Sequence, residues 1–478
     1  KKMSSLELIR KQHIELLETI GKQADLLSYP CYIVGGYVRD RLLNRPFKYD
    51  IDIVCVGSGI KLAESVGKII NAKVSYFKNF GTASFKFNNI DIEVVGARKE
   101  SYQRNSRKPI VENGTLKDDQ NRRDFTINAM AVCINTNEFG KLIDPFNGIE
   151  DLKNKLLRTP LNPKQTYDDD PLRMLRAIRF ANQLNFTIDP SSLKAIEAYN
   201  DRLSILSKER ITDELNKIIS CDKPSIGFYL LDETGLLQYI LPEMIKLKGV
   251  DYIDGNGHKD NFKHTLEVLD NVCKTSEDLW LRWSAILHDI SKPKTKRYDK
   301  VNGWTFYGHE VLGARLVPKI FKRLKLPLDA KMKFVQKMVA LHLRPIVLAK
   351  EEVTDSAIRR LLFDAGDDID KLMQLCDADI TTKNEWKQKR YLRNFELVRA
   401  KLKEVEEKDN IRNFEPPVSG DIIMASFGIK PSREVGQIKN AIKEAILDGE
   451  INNNYEEAYN FMLTQAEKLG LTLVPKVE

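Results

Sequence analysis

The stretch Val34–Val56, VGGYVRDRLLNRPFKYDIDIVCV, constrains this chain more than any other. Cys31–Val34 reads as a short strand, and Gly35-Gly36 follow it. A helical pattern, Tyr37–Leu43, comes next. A glycine pair at such a junction permits a tight turn and leaves backbone N–H groups at a helix start, where phosphate oxygens bind. Tyr49–Val56 then alternates as a strand does. Residues two apart in a strand share a face, so Asp50 and Asp52 project together while Ile51, Ile53 and Cys55 point the other way. Neighbouring carboxylates repel unless a cation lies between them. Mg²⁺ takes oxygen ligands and commonly combines one or two carboxylates with substrate phosphates. Arg39 adds a positive charge. Either feature alone suits a bland role, a solvated strand face or a plain turn. Their order and closeness favour a metal-dependent nucleotidyl-transfer site.

At 478 residues the chain exceeds one ordinary core, so two to four domains are expected. The net charge of +8 with mixed signs predicts basic patches, compatible with an anionic partner such as nucleic acid. The six cysteines are scattered without a Cys-x-x-Cys pair. That argues against a thiolate zinc site or a disulfide framework and for a reducing compartment. No stretch has the apolar length of a membrane span and no signal-peptide pattern opens the chain, so a cytoplasmic protein is expected.

Leu6–Ala24 reads as an amphipathic helix and Ile60–Asn71 as a second helix. Ala72–Phe77, Thr82–Phe87 and Ile90–Val95 read as strands, making Cys31–Val95 a small mixed α/β sheet. In the last of them either Asp91 or Glu93 is placed to add a third carboxylate, or both belong to a polar edge face. Arg98–Asn121 is polar with little periodicity and reads as a mobile loop, suited to closing over a substrate. In Arg122–Met130, Arg123 offers a cation for a triphosphate, and Asp124 and Asn128 offer short polar groups for a ribose. The same stretch also suits a capped helix. Asp144-Pro145 and Asn147-Gly148 are turn chemistry.

Asp168–Phe180, DDDPLRMLRAIRF, reads as a helix with Pro171 in its first turn and Leu172, Leu175 and Ile178 packing. Asp170 and Arg173, three apart, are then neighbours. An ordinary surface ion pair is one reading. Base selection is the other. Cytosine and adenine each present an amino donor beside a ring-nitrogen acceptor, whereas uracil and guanine present the reverse. A carboxylate beside a guanidinium accepts C and A and refuses U and G. Arg176 and Arg179 continue along the helix, placed to hold triphosphate or to orient Asp170.

Taken in order, Gly35-Gly36-x-x-Arg39-Asp40, Asp50/Asp52, Arg122-Arg123-Asp124-x-Thr126-x-Asn128-Ala129, Asp144-Pro145 with Gly148, and Asp170-Pro171-Leu172-Arg173-x-x-Arg176 resemble the class II tRNA nucleotidyltransferases. These are the CCA-adding enzymes, with the bacterial poly(A) polymerases as relatives. The motifs span roughly Tyr32–Arg210, including Glu209-Arg210-Ile211. The resemblance implies an α+β fold: a small mixed-sheet nucleotidyltransferase head, then a mainly helical neck, body and tail. It implies that Asp50 and Asp52 hold catalytic Mg²⁺, that Glu93 matches a later acidic position, and that Gly36, Arg39, Arg123, Asp124, Asn128, Asp170, Arg173, Arg176 and Arg179 bind nucleotide. The expected reaction is transfer of CMP and AMP from CTP and ATP to the 3′-hydroxyl of tRNA, releasing pyrophosphate. Poly(A) addition or partial (A- or CC-) addition is the nearest alternative, and no DNA partner is expected. Two departures stand out. The family's base-reading motif usually opens Glu-Asp, here Asp169-Asp170. Before Arg122 the family's Glu-Asp-Leu-x-Arg is replaced by Asp118-Asp119-Gln120-Asn121-Arg122.

Five of the six histidines fall between His258 and His342 in an otherwise helical region, with His309 and His342 among them and Asp377 and Asp379 following. Imidazoles and carboxylates on several helices suit a divalent metal. The pattern resembles an HD domain, a fold of metal-dependent phosphohydrolases. By that resemblance His264, His288, Asp289 and Asp379, with Asp377 as the near alternative to the last, would hold a second divalent metal. A degenerate scaffold with satisfied histidines is the other reading, and an HD phosphohydrolase is the rival function. His13 and His258 read as surface residues. The expected domains are an N-terminal helix (1–24), head (25–150), neck with the base-reading helix (151–245), HD-type domain (246–405) and helical tail (406–478). In the tail Pro416-Pro417 mark a linker, and Val435, Ile438, Ile442 and Ile446 recur at helical spacing.

Overall fold

The structure, a computed structural model, describes residues 5–77, 81–350, 354–409, 411–412 and 414–475. The fold is α+β and divides into two compact units, Lys1–Ile245 and Lys246–Glu478.

In the first unit the described residues include strands β1 (Cys31–Val34), β2 (Asp50–Cys55), β3 (Val74–Phe77), β4 (Thr82–Phe87), β5 (Ile90–Gly96), β6 (Arg98–Ser101), β7 (Ile110–Asn113), β8 (Ala131–Cys133) and β9 (Leu142–Ile143), besides a two-residue parallel pair, Leu156–Leu157 with Thr187–Ile188. Seven of them make one mixed sheet in the order β3-β4-β5-β2-β1-β8-β9, and β6 pairs with β7 as a separate hairpin. The alternation in β2 does what the sequence requires: Ile51, Ile53 and Cys55 are fully buried, and the two aspartates face away from that core. β2 runs parallel to β5 with Asp50 opposite Asp91 and Asp52 opposite Glu93. β1 runs antiparallel to β2 with Val34 opposite Asp52, so the turn at Gly35 opens beside the carboxylates. Helix Gly59–Ile70, capped by Ser58, lies so close to the sheet that a Cβ at Gly59 would come within 2.8 Å of the Val94 carbonyl oxygen. Helices Pro163–Asp169, Leu172–Leu184, Pro190–Tyr199, Lys208–Ile219 and Ser225–Glu233 complete this unit's main elements.

The second unit is helical apart from two small hairpins among its described residues. Helices Asn261–Cys273, Leu279–Leu287, His309–Leu324, Ala330–Leu341 and Ile369–Ala378 surround a core that includes Trp283 and Phe321, both fully buried. Further on lie Glu385–Asp409, Gly420–Phe427, Arg433–Asp448 and Tyr455–Lys468. Val435, Ile438, Ile442 and Ile446 are buried along one of them. No described helix is long and apolar enough to cross a membrane.

Several sequence expectations need correction. The stretch expected as one helix over Leu6–Ala24 is two 3-10 turns, Ser5–Leu8 and Lys11–His13, followed by helix Ile14–Leu26. Arg98–Asn121 is not a plain loop. It holds the β6–β7 hairpin and helix Leu116–Asn121, whose Thr115 and Asp118 form a reciprocal capping box. The sheet extends beyond Val95 through the very short strands β8 and β9. Asp168–Phe180 is two helices, because Pro171 disfavours helical backbone at Asp170, which is extended. His13 is buried (1% exposed), with its Nδ1 2.9 Å from the Tyr37 hydroxyl and its ring against Phe47. The His258 side chain is also mostly covered, lying edge-on to Trp304 and Phe306. The tail expected to start at 406 begins inside the continuous helix Glu385–Asp409.

Candidate active site

Gly36, Arg39, Asp50, Asp52, Arg123, Asp124, Asn128, Asp170, Arg173, Arg176 and Arg179 all line one cleft of about 620 Å³ in the first unit. Glu93 faces an adjoining recess that shares Asp50 and Asp52. Gly35 holds φ at 73°, the left-handed region that favours glycine, with its Cβ direction 3.7 Å from Asp52 Oδ2. Asp52 is open to the cleft yet enclosed on its other sides by protein. That desolvation, then Glu93 and Asp50 nearby, pushes its carboxyl up to about 6 against the opposing pull of Arg123. Three crowded carboxylates on one sheet face, one of them held partly protonated, are the donor set that a divalent cation relieves.

The arginines are fixed by named partners. Arg39 Nε donates to Asp40 (2.9 Å) and its Nη1 to Asn128 Oδ1 (2.7 Å). The fully buried Asp119 carboxylate takes Arg122 on one oxygen (2.8 Å) and Arg123 on the other (2.9 Å). This accounts for the altered segment before Arg122: Asp119 is the clamp, Asp118 caps the helix, and Gln120 satisfies its buried amide by donating to the carbonyls of Ala129 and Ile143. Asp124 receives Arg176 Nε (2.6 Å), Asn128 Nδ2 and its neighbour's N–H. Burial opposes its ionisation, but Arg176, with Asn128 and Arg173, outweighs burial and holds the carboxyl down to about 2. Arg179 pairs with Glu214 at 2.5 Å. The ring of Phe180 sits under three guanidinium groups, those of Arg39 (5.0 Å), Arg176 (5.3 Å) and Arg179 (4.3 Å).

Asp170 and Arg173 line the cleft together, but not as the helical ion pair expected. Asp170 accepts Arg107 Nε at 2.8 Å, from the β6–β7 hairpin connection, and the N–H of Leu172. Arg173 is braced by the carbonyls of Arg122 (2.6 Å) and Thr166 (3.3 Å) and lies over the Tyr102 ring. Arg176 orients Asp124 rather than Asp170. Sequence reading missed Tyr102, Asp119, Phe180 and Glu214, and counted Arg107 only as part of a loop. Only Phe180, beside three arginines at helical spacing, carried a usable signal.

In the second unit, Nε2 of His264 lies 2.7 Å from Asp379 Oδ1 and 3.6 Å from Asp289 Oδ2. Nε2 of His288 lies 3.2 Å from Asp289 and 3.3 Å from Asp379, without hydrogen-bond geometry to either. Its Nδ1 donates to the Ala285 carbonyl. Burial opposes protonation there, but the two carboxylates outweigh it and raise His288 to about 10. Asp377 is turned away and paired with Arg399. His264, His288 and Asp379 thus form one potential metal-binding group, and Asp289, His309 and His342 form another. His309 and His342 were noted in the sequence as part of the histidine-rich region but not assigned as ligands.

Residues 31–158 match the poly A polymerase head domain, 185–247 the probable RNA and SrmB-binding site of polymerase A, and 261–383 the HD domain. The chain is 33% identical over 368 residues to an A-adding tRNA nucleotidyltransferase of Deinococcus radiodurans, covering 74% of this chain and 80% of that one. It is 30% identical over 384 residues to a multifunctional CCA protein of Hahella chejuensis, covering 75% and 84%. A solved structure of the Bacillus stearothermophilus CCA-adding enzyme in complex with CTP shares the fold, with a TM-score of 0.66, 23% identity, and coverage of 97% of this chain and 99% of that one.

Proposed function

The chain belongs to the tRNA nucleotidyltransferase family, and from that premise we propose that it adds CMP and AMP, taken from CTP and ATP, to the 3′ end of tRNA with release of pyrophosphate. One observation carries this reading: the Asp50/Asp52 carboxylates and the Asp170/Arg173 pair open onto the same arginine-lined cleft. Asp50 and Asp52 fit a divalent cation, and Mg²⁺ held there would neutralise triphosphate charge and activate the RNA 3′-hydroxyl for attack on the α-phosphate. Glu93 beside Asp52 adds negative charge that favours the cation. Arg39 and Arg123, fixed by Asp40, Asn128 and Asp119, present guanidinium groups to the triphosphate. Asp124 and Asn128 face the ribose. Asp170 accepts from the amino group of C or A and Arg173 donates to the adjacent ring nitrogen. A base of the opposite polarity leaves both groups unpaired, which is the costly outcome that confers discrimination. The acceptor end of tRNA is read through phosphates, shape and 2′-hydroxyls, so binding weakens with salt. Free thiols at all six cysteines suit a cytoplasmic setting.

A second reading, A-addition alone, is favoured by the name of the Deinococcus relative. Incubation of tRNA ending before CCA with labelled CTP alone, then ATP alone, separates the two. The proposal expects incorporation of C followed by a single A. Failure to incorporate C, with A added only to tRNA already ending in CC, would establish the second reading, and a long A tract would refute both.

For the second unit, His264, His288, Asp289 and Asp379 fit one divalent cation, since the Nε2 atoms of both imidazoles lie 2.7 to 3.6 Å from the oxygens of both carboxylates. Such a site supports phosphate-ester hydrolysis as an additional activity. Phosphate release from nucleotides and opening of 2′,3′-cyclic nucleotides to the monophosphates, with added Ni²⁺ or Mg²⁺, test it, and the absence of both metal uptake and hydrolysis would reject it.

A further inference from the structure

We infer that an open recess beside the nucleotide cleft is a second anion site, which takes up pyrophosphate as it leaves the cleft; the product role rests on the transfer reaction proposed above. The recess lies in the first unit and has a volume of about 840 Å³. Its walls come from the end of helix Leu172–Leu184, the end of helix Lys208–Ile219 and the segment 45–48. Lys48, Arg179, Gln183 and Lys217 line the recess and the cleft alike, so the two spaces meet there.

One helix connects the two ends of the path. Arg173, Arg176, Arg179 and Gln183 follow one another at intervals of three or four residues, so they share a face of helix Leu172–Leu184. All four border the cleft, and the last two also border the recess. At the usual helical rise the row extends about 15 Å, from the base-reading end to the recess.

The charge of the recess suits a polyanion. Five cationic side chains and one acidic one, Asp222, line it. Arg179 is paired with Glu214 at 2.5 Å. The other four are less committed. Lys217 lies 3.8 Å from the same carboxylate and Arg45 lies 3.8 Å from Asp40. Lys48 and Lys223 are exposed. The backbone of Lys223 is nonetheless held: Asn182 Nδ2 donates to its carbonyl (3.0 Å), and Asn182 Oδ1 accepts the N–H of Gly227 (3.0 Å). A cavity lined by one sign of charge concentrates ions of the other. At the junction, Gln183 Oε1 is buried with no hydrogen-bond partner. Half a turn of that amide presents its N–H donors in place of the oxygen. An anion that takes them up satisfies a group the protein leaves unpaired.

The lining favours a small inorganic anion over RNA. Grooves for single-stranded RNA combine cations with aromatic side chains on which bases stack. No aromatic side chain is among the described residues that line the recess. Pyrophosphate has no base to stack and needs only cations and N–H donors.

Pyrophosphate itself is the probe. It is titrated calorimetrically into the full-length chain saturated with CTP and without tRNA, so that the cleft is filled and no transfer occurs. We expect one pyrophosphate to bind. Arg45→Ala with Lys223→Ala, checked for folding by circular dichroism, should weaken that binding by roughly tenfold, the scale of charge-assisted hydrogen bonds, and leave the affinities for CTP and tRNA within about twofold. Should the double variant fail to fold, Lys223→Gln alone, at an exposed side chain, should give a smaller loss in the same direction. No pyrophosphate uptake by the CTP-filled chain, or uptake that the variants leave unchanged, would overturn the site. A parallel loss of CTP affinity would make the recess part of the nucleotide site, and a loss of tRNA affinity in place of pyrophosphate affinity would make it an RNA site; either overturns the inference. A chain that binds pyrophosphate as expected but transfers no CMP to tRNA would overturn the reading of the cleft, and with it the product role, while the anion site would stand.

Discussion

The head cleft and the histidine cluster both concentrate acidic groups, but they are built on opposite plans. In the head, Asp50, Asp52 and Glu93 stand on adjacent parallel strands and open to a cleft walled by arginines. In the second unit, imidazoles and carboxylates from several helices close on one another, all of them buried except Asp379, which is partly exposed. The first plan leaves room for phosphate oxygens to share a hard cation that comes and goes with the nucleotide. The second supplies most of the coordination from the protein and favours a resident, softer cation.

The comparison breaks first at Asp52. Asp52→Ala should reduce nucleotidyl transfer by roughly 10³-fold, on the scale of losing a main electrostatic element of a transition state. His264→Ala should change that same rate less than about twofold. Equal losses in the two variants, measured as initial rates of labelled nucleotide incorporation, would mean that the sites do not act separately.

Base reading is the next largest effect. Asp170→Ala should cut discrimination of CTP and ATP against UTP and GTP by roughly 10²-fold, because the amino group loses its acceptor and the wrong bases lose their penalty. Single-nucleotide kcat/KM values for the four triphosphates measure it.

The pH dependence sharpens the contrast further. Asp52 is raised to about 6, so its carboxyl is protonated below that pH and ionised above it. A metal needs the ionised form, so Mn²⁺ affinity of the head should fall about tenfold per pH unit below about 6 and level off above. Titration at pH 5, 6 and 7 checks the sign, and affinity that rises on acidification would contradict it.

The smallest effect concerns Arg107. It occupies the Asp170 carboxylate at 2.8 Å and must leave before a base is read there. The pair is partly solvated, so its removal is worth up to about 1 kcal/mol. Arg107→Ala should therefore lower the KM for CTP and ATP by no more than about fivefold, with kcat little changed.

Much of the head was legible because its signals are local. Period-2 alternation placed Asp50 and Asp52 on one face, and the glycine pair marked the turn beside them. The arginine spacing from Arg173 to Arg179 put their side chains along one helix bordering the cleft. What was not legible depends on partners distant in sequence or on very short elements. Strands of two or three residues such as β8 and β9 show no periodicity, and the β6–β7 hairpin is too polar to read as strands. That Arg176 orients Asp124, that Arg107 rather than Arg173 sits on Asp170, and that Asp119 clamps two arginines are tertiary facts. His13 looked like a surface residue because a polar side chain on a helical turn gives no hint of the Tyr37 hydroxyl that satisfies it. In the second unit the pattern revealed the histidines. For His288, His309 and His342, only the positions of the carbonyls that receive their Nδ1 protons show which nitrogens point inward.

The central claim is that one cleft, centred on Asp50 and Asp52, adds both C and A to tRNA. The most direct measurement follows tRNA ending before CCA, incubated with labelled CTP and ATP, with the natural chain and with Asp50→Ala in parallel. The account predicts ordered addition of C, C and A by the natural chain and near-complete loss in the variant. Persistent addition by Asp50→Ala, or a product from the natural chain that contains no C, would contradict it.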